Sequence, residues 1–144
     1  MVDPNCPYCI SAGGTVVWSD DRCRVLFIED SPFAGLCRVA WYEHIKEFSD
    51  LGAADRVHLM RVVAETERAI RQLLQPAKMN LAALGTAVPH LHWHIVPRYE
   101  DDTHFPDPIW AAPKRADTGH RAPEDFASRI GGLLAAQLGS GPAV

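Results

Sequence analysis

No stretch of this chain approaches the run of about eighteen apolar residues that a membrane-spanning helix needs, so no membrane partner is expected. There is also no Lys/Arg run, and the formal net charge is −4. Binding by counterion release needs clustered cations, so nucleic acid is not an expected partner. The N-terminal MVDPNCPYCI lacks the basic and apolar regions of a secretory signal, and a cytoplasmic location is expected. No G-x-x-x-x-G-K-[ST] string occurs, which excludes P-loop chemistry. Internal repeats and low-complexity blocks are absent too. Cysteine is scarce, with four residues, and two of them form a C-x-x-C pair. That usage favours metal or redox chemistry over a disulfide framework.

What is present suits an ordinary folded domain: 144 residues, 47% hydrophobic and 22% charged. Residues 1–144 are expected to form one domain, with a core over about 5–110, a loop and helix over 111–139 and a frayed tail at 140–144. Asp3–Gly14 reads as a loop carrying Cys6 and Cys9. Strands are expected at Thr15–Trp18, Arg24–Glu29, Leu36–Trp41, Met79–Leu84 and Val88–Arg98. The clearest helix is Ala53–Leu74, with Val57, Met60, Val63, Ala64 and Ile70 at helical spacing and Pro76 beyond its end. Asp101–Arg121, rich in Pro, Asp and Gly, reads as a surface loop. A last helix starts near Pro123-Glu124-Asp125 and buries Phe126, Ile130, Leu133 and Leu134. Antiparallel strands with one long and one C-terminal helix define an α+β domain.

The informative string is PHLHWHIVPRY, Pro89–Tyr99. On a strand, His90, His92 and His94 share one face and Leu91, Trp93 and Ile95 the other. Three imidazoles make a poor core because each has two nitrogens needing partners. Three unrelated exposed histidines fit less well, because the apolar opposite face pins the strand to a core. Two kinds of site remain. The histidines jointly hold a catalytic metal, or one imidazole is a nucleophile whose neighbours orient it and bind phosphate.

His90-Leu91-His92-Trp93-His94-Ile95-Val96 resembles the signature of the histidine-triad (HIT) superfamily. The likeness extends to Cys6-Pro7-Tyr8-Cys9, to Phe27-Ile28-Glu29-Asp30-Ser31-Pro32, to His44 and to Asn80–Arg98. It is most similar to bacterial proteins of the diadenosine-polyphosphate hydrolase type, near the Hint branch. The resemblance implies a HIT-like fold, a roughly five-stranded antiparallel sheet with one long helix across it, and a homodimer. It implies nucleotide hydrolysis or nucleotidyl transfer, with His92 attacking the α-phosphorus to form a nucleotidyl-histidine and His94 contacting the phosphate. His90, the first triad histidine, would join Cys6, Cys9 and His44 as a structural Zn²⁺ ligand. Phe27 with Glu29 or Asp30 would meet the nucleoside, and Asn80 the phosphate and sugar. Gly85, Thr86 and the following N–H groups are candidate phosphate donors. A core Phe27 and a solvated Glu29 are equally compatible with the pattern.

The chain departs from the family's Gly-Gln-[Ser/Thr]-Val, carrying Gly85-Thr86-Ala87-Val88. The missing hydroxyl is the one that by resemblance helps protonate a leaving group, which favours leaving groups that depart as stable anions. A nucleotide-binding regulatory module without useful catalysis is the remaining alternative. Trp110 could close a base pocket or a dimer contact, with buried packing the favoured expectation, while Cys23 and Cys37 are expected to be small core residues and His58, His104 and His120 to stand alone at the surface.

Overall fold

The computed structural model describes residues 1–140; the rest of the expected frayed tail lies outside the described residues. Pro7–Ile10 form a single helical turn, α1, inside the segment expected to be loop. Proline at its first position pre-sets the helical φ, and the Ile10 N–H closes onto the Cys6 carbonyl at 3.1 Å. Strands β1 (Thr15–Ser19), β2 (Cys23–Phe27) and β3 (Cys37–Trp41) follow. Next come the long helix α2 (Ala53–Leu74), β4 (Lys78–Ala82), β5 (His92–Arg98) and α3 (Phe126–Leu138).

The five strands form one antiparallel sheet in the order β1-β2-β3-β5-β4. Both helices cover the face carrying Val25, Val39 and Ile95, and the main core lies there. The expected α+β class and five-stranded sheet are therefore present.

The long helix has the expected bounds but a different buried face. Val57 and Ala64 are exposed, while Leu59, Val62, Val63, Thr66, Ala69 and Ile70 are buried. Those six recur at three- and four-residue steps and face the sheet and α3. Thr66 fits among them because its hydroxyl donates to the Val62 carbonyl at 2.8 Å. In α3 the expected stripe of Phe126, Ile130 and Leu134 is buried, with Leu133 packed beside it. The helix lies so close to β1 that a Cβ on Gly131 would come within 2.8 Å of the Val17 carbonyl oxygen.

The triad strand begins later than expected, at His92. Before it, the chain turns through a His90 N–H to Val88 carbonyl bond, and Leu91 bonds to the Ile45 carbonyl. His90 therefore leaves the sheet ladder and reaches the N-terminal segment.

Candidate active site and metal cluster

Along the sheet face opposite the helices lie His90, His92 and His94, with Tyr8 over the first two. The Tyr8 ring centroid is 5.5 Å from His90 and 4.8 Å from His92, and His92 and His94 are 5.0 Å apart. Leu91, Trp93 and Ile95 point the other way, to the core.

His90 is fully buried, and its Nε2 lies 2.6 Å from the Trp41 carbonyl. A carbonyl only accepts, so Nε2 carries the proton and Nδ1 presents a lone pair. That lone pair faces Cys6 Sγ at 3.4 Å, Cys9 Sγ at 3.6 Å and His44 Nδ1 at 3.2 Å. Cys9 Sγ and His44 Nδ1 are 3.3 Å apart, and all four ligand atoms lie within 4.8 Å of one another. Tetrahedral zinc, with Zn–S of about 2.3 Å and Zn–N of about 2.0 Å, sets ligand–ligand edges of about 3.3–3.8 Å. The observed edges fit. His44 Nε2 also has Asp3 Oδ2 at 3.8 Å, the kind of outer carboxylate that orients a ligating imidazole. With both nitrogens committed, His90 has none to share with a metal on His92 and His94.

The His92 Nδ1 lies 2.6 Å from the His90 carbonyl, so Nδ1–H donates and Nε2 is left free. Burial pulls the His92 pKa below its usual value, and the Arg38 charge adds to this against the opposing pull of the carbonyl bond. His94 is pulled further, to about 4, by burial and then by His92 and Arg38. Both imidazoles are neutral at neutral pH. The His94 Nδ1 is buried without a partner.

In front of them opens a cavity of about 420 Å³, lined also by Tyr8, Arg38, Trp110 and the loop from Leu84 to Val88. Gly85, at φ +68°, makes the turn of that loop, and Thr86 is exposed beside it. A second cavity of about 590 Å³ lies across Trp110 and takes in Asn80 and Lys78 but none of the histidines. Asn80 Oδ1 accepts from Arg98 there at 2.8 Å.

The expected nucleoside contacts lie elsewhere. Phe27 is buried in the core against Phe126, at 4.9 Å between ring centroids, because strand alternation groups it with Val25 on the helix side. Glu29 and Asp30 are exposed, and Asp30 pairs with Arg121 at 3.1 Å. None of the three lines the triad cavity.

One cavity residue had no role in the reading of the sequence, and another reads there chiefly as packing. Arg38 is paired in register with His94 across β3 and β5, so alternation along β3 was the signal that could have found it. Trp110 was expected to be packed but is half exposed, with its ring edge-on to His94 at 4.9 Å. The turn that precedes it in the chain is organised by Asp102, which no local pattern announces. That carboxylate is buried, pairs with Arg98 at 2.9 Å and accepts from the N–H groups of Tyr99, His104 and Phe105, shaping the turn that leads to Trp110.

Cys23 and Cys37 are core residues, their thiols pushed well up by burial. His58 does not stand alone. The start of α2 packs over the β1–β2 turn and brings His58 Nε2 within 2.6 Å of Asp20 Oδ2. His104 is half-buried against Phe33, and His120 is exposed with its ring edge-on to Tyr99.

The HIT domain family matches over residues 11–101, most of the chain. The chain belongs to the HIT domain family. No curated protein sequence matches it significantly. Among solved structures it is similar to the histidine triad protein SMc02904 from Sinorhizobium meliloti, at 25% identity and TM-score 0.68, covering 83% of this chain and 88% of that one. It is similar to a Zn-bound histidine triad family protein from Mycobacterium smegmatis, at 20% identity and TM-score 0.62, covering 92% and 94%. A hypothetical histidine triad nucleotide-binding protein, ST2152 from Sulfolobus tokodaii, matches at 17% identity and TM-score 0.58, covering 88% and 89%. The last two likenesses carry the fold alone. Among the described residues, no helix is long and apolar enough to cross a membrane.

Proposed function

We propose that this protein is a nucleotide hydrolase or nucleotidyl transferase in which His92 is the nucleophile, acting on dinucleoside polyphosphates or related nucleotide conjugates. One observation carries this reading. His92 is a neutral imidazole whose Nδ1–H is fixed by the His90 carbonyl, and it lines a cavity large enough for a phosphate-bearing ligand. Family membership supports the same chemistry.

The reaction runs in two displacements. Nε2 of His92 forms a bond to the α-phosphorus while the bond to the leaving oxygen breaks, and that oxygen keeps the electron pair. The positive charge developing on the imidazole is stabilised through Nδ1–H by the His90 carbonyl. Water then attacks the same phosphorus, the P–N bond breaks, and its electron pair returns to Nε2. The proton shed by water passes to solvent. His94 and the N–H groups beyond Gly85 are placed to receive the charge that builds on the non-bridging oxygens.

Zinc on Cys6, Cys9, His44 and His90 is the metal this donor set fits, and the Zn-bound relative supports it. Four protein ligands leave no open position, so its contribution is structural. It ties α1 to the residue whose carbonyl holds His92. The homodimer implied by resemblance would pair through the long helix, where Val57 is exposed, and a strand edge such as that of β4, where Leu81 is exposed. Light scattering on the purified chain measures this, and a monomeric mass contradicts it.

The test is labelled diadenosine tetraphosphate, given to wild type and His92→Ala and followed by rapid denaturation. Wild type is expected to turn over and to yield an acid-labile nucleotidyl-protein, and the variant neither. Normal turnover by His92→Ala overturns the assignment.

A further inference from the structure

The cavity holds one permanent charge that the reaction above does not use. Arg38 is its only lysine or arginine among the described residues. It projects from β3 opposite His94, while Ala40 is the residue opposite His92. Its Nη1 donates to the Tyr8 hydroxyl at 3.3 Å, and its Nε is buried with no partner. Arg24, Arg98 and Arg121, by contrast, are committed to acceptors. Arg24 donates to the carbonyls of Tyr8, Ser11 and Ala12, Arg98 grips Asp102, and Arg121 binds Asp30 and Asp117. Arg38 makes no ion pair with a carboxylate among the described residues. A half-buried guanidinium with free donors in a fork is an anion receptor, and its planar geometry matches phosphate.

We propose that Arg38 selects substrates bearing at least one phosphate beyond the one attacked, because it is rooted one row along the sheet from His92, lines the same cavity and makes no ion pair there. This deepens the reading under Proposed function and rests on it. The attacked phosphorus must lie against His92, and rows on one face of a strand are about 7 Å apart, a length that spans more than one P–O–P step, so an arginine rooted one row away is in reach of anionic groups beyond the attacked phosphorus. The chemistry agrees with the placement. When the P–O bond breaks, the electron pair stays on the leaving phosphate, and Arg38 neutralises the new charge without a proton being moved. His94, neutral beside it, supplies a contact to phosphate but no net charge. Nucleoside polyphosphates and dinucleoside polyphosphates are the class this arrangement takes, in preference to nucleoside phosphoramidates with an uncharged leaving group.

The experiment is calorimetric binding of inorganic tripolyphosphate and of orthophosphate to the zinc-replete wild type, Arg38→Met and Arg38→Lys. Wild type is expected to prefer tripolyphosphate by about tenfold or more. Arg38→Met should lose that preference while keeping its weak orthophosphate binding, and Arg38→Lys should keep part of it. Orthophosphate binding reports that the cavity is intact in each variant. The proposal is overturned if Arg38→Met retains the preference, if it loses both ligands together, or if wild type shows no preference. In turnover, Arg38→Met should lose about tenfold or more in kcat/KM on diadenosine tetraphosphate relative to adenosine phosphoramidate. An equal loss on both substrates overturns it as well. If His92→Ala turns over like wild type, that failure belongs to the nucleophile, and the tripolyphosphate preference still decides the role of Arg38.

Discussion

The two ends of the histidine row use the same side chain in opposite ways. At the Cys6–Cys9 end, His90 is itself fully buried and both of its nitrogens face partners. At the other end, His92 keeps one nitrogen free, and His94 has a buried Nδ1 with no partner beside an open cavity. The difference lies in the backbone. His90 precedes the strand, so its side chain can turn to the N-terminal segment, while His92 and His94 are held in the ladder against Ala40 and Arg38. One departure from the ladder separates the proposed metal ligand from the proposed nucleophile two residues away. What connects them is the His90 carbonyl, which holds His92 in its tautomer.

The largest effect expected from breaking this division is at His92. His92→Ala should reduce turnover by about three orders of magnitude or more while zinc content and the far-UV spectrum stay those of wild type. If metal is lost together with activity, the two ends are not separable. At the closed end the opposite pattern is expected. Cys9→Ser should release the metal and lower stability to denaturant by several kcal/mol, on the order of 3 or more. Metal content and the unfolding midpoint measure this, and unchanged values would mean that the cluster is a packed dithiol.

A third variant bears on the open end from a distance. Asp102→Asn removes one partner of the buried pair with Arg98 and should cost about 3 kcal/mol. Burial alone would push the Asp102 carboxyl up, but Arg98 and the N–H groups of Tyr99, His104 and Phe105 outweigh it and hold the pKa below 3.8. A depressed carboxyl contributes stability that is fully present above its unfolded value and is lost as pH falls through the folded one. Wild type should therefore lose more stability than Asp102→Asn on acidification from about pH 5 to about pH 3, measured by denaturant titration. Parallel losses would show that the pair is not what holds the loop. The smallest effect is at Trp110. Trp110→Ala should raise KM about fivefold with kcat little changed, because the ring borders the cavity without touching the reacting atoms.

The closed end was legible from sequence far better than the open one. The Cys6–Cys9 spacing is readable directly, the choice of His44 and His90 among seven histidines rests on the family resemblance, and the four ligand atoms lie within 4.8 Å of one another. The strands were legible because alternation reports which face is buried, and Leu91, Trp93 and Ile95 do lie on the core side. Arg38 escaped because its meaning depends on strand pairing: only opposite His94 does a charged residue in an apolar strand become a cavity wall. From sequence Trp110 reads as either a pocket wall or a packed residue, because it follows a turn organised by Asp102 through backbone donors, which leave no periodic trace in sequence. Phe27 illustrates the reverse case. Alternation already grouped it with Val25, and the helix-side packing against Phe126 follows from that grouping more directly than a nucleoside contact does.

The central claim is that His90 belongs to the metal and His92 to the substrate. X-ray absorption at the zinc edge on the purified protein tests it most directly. The prediction is a closed shell of two sulfur ligands at about 2.3 Å and two imidazole nitrogens at about 2.0 Å, unchanged in His92→Ala. A shell dominated by three imidazoles with an added oxygen, lost or altered in His92→Ala, would contradict it and put the metal at the centre of the reaction.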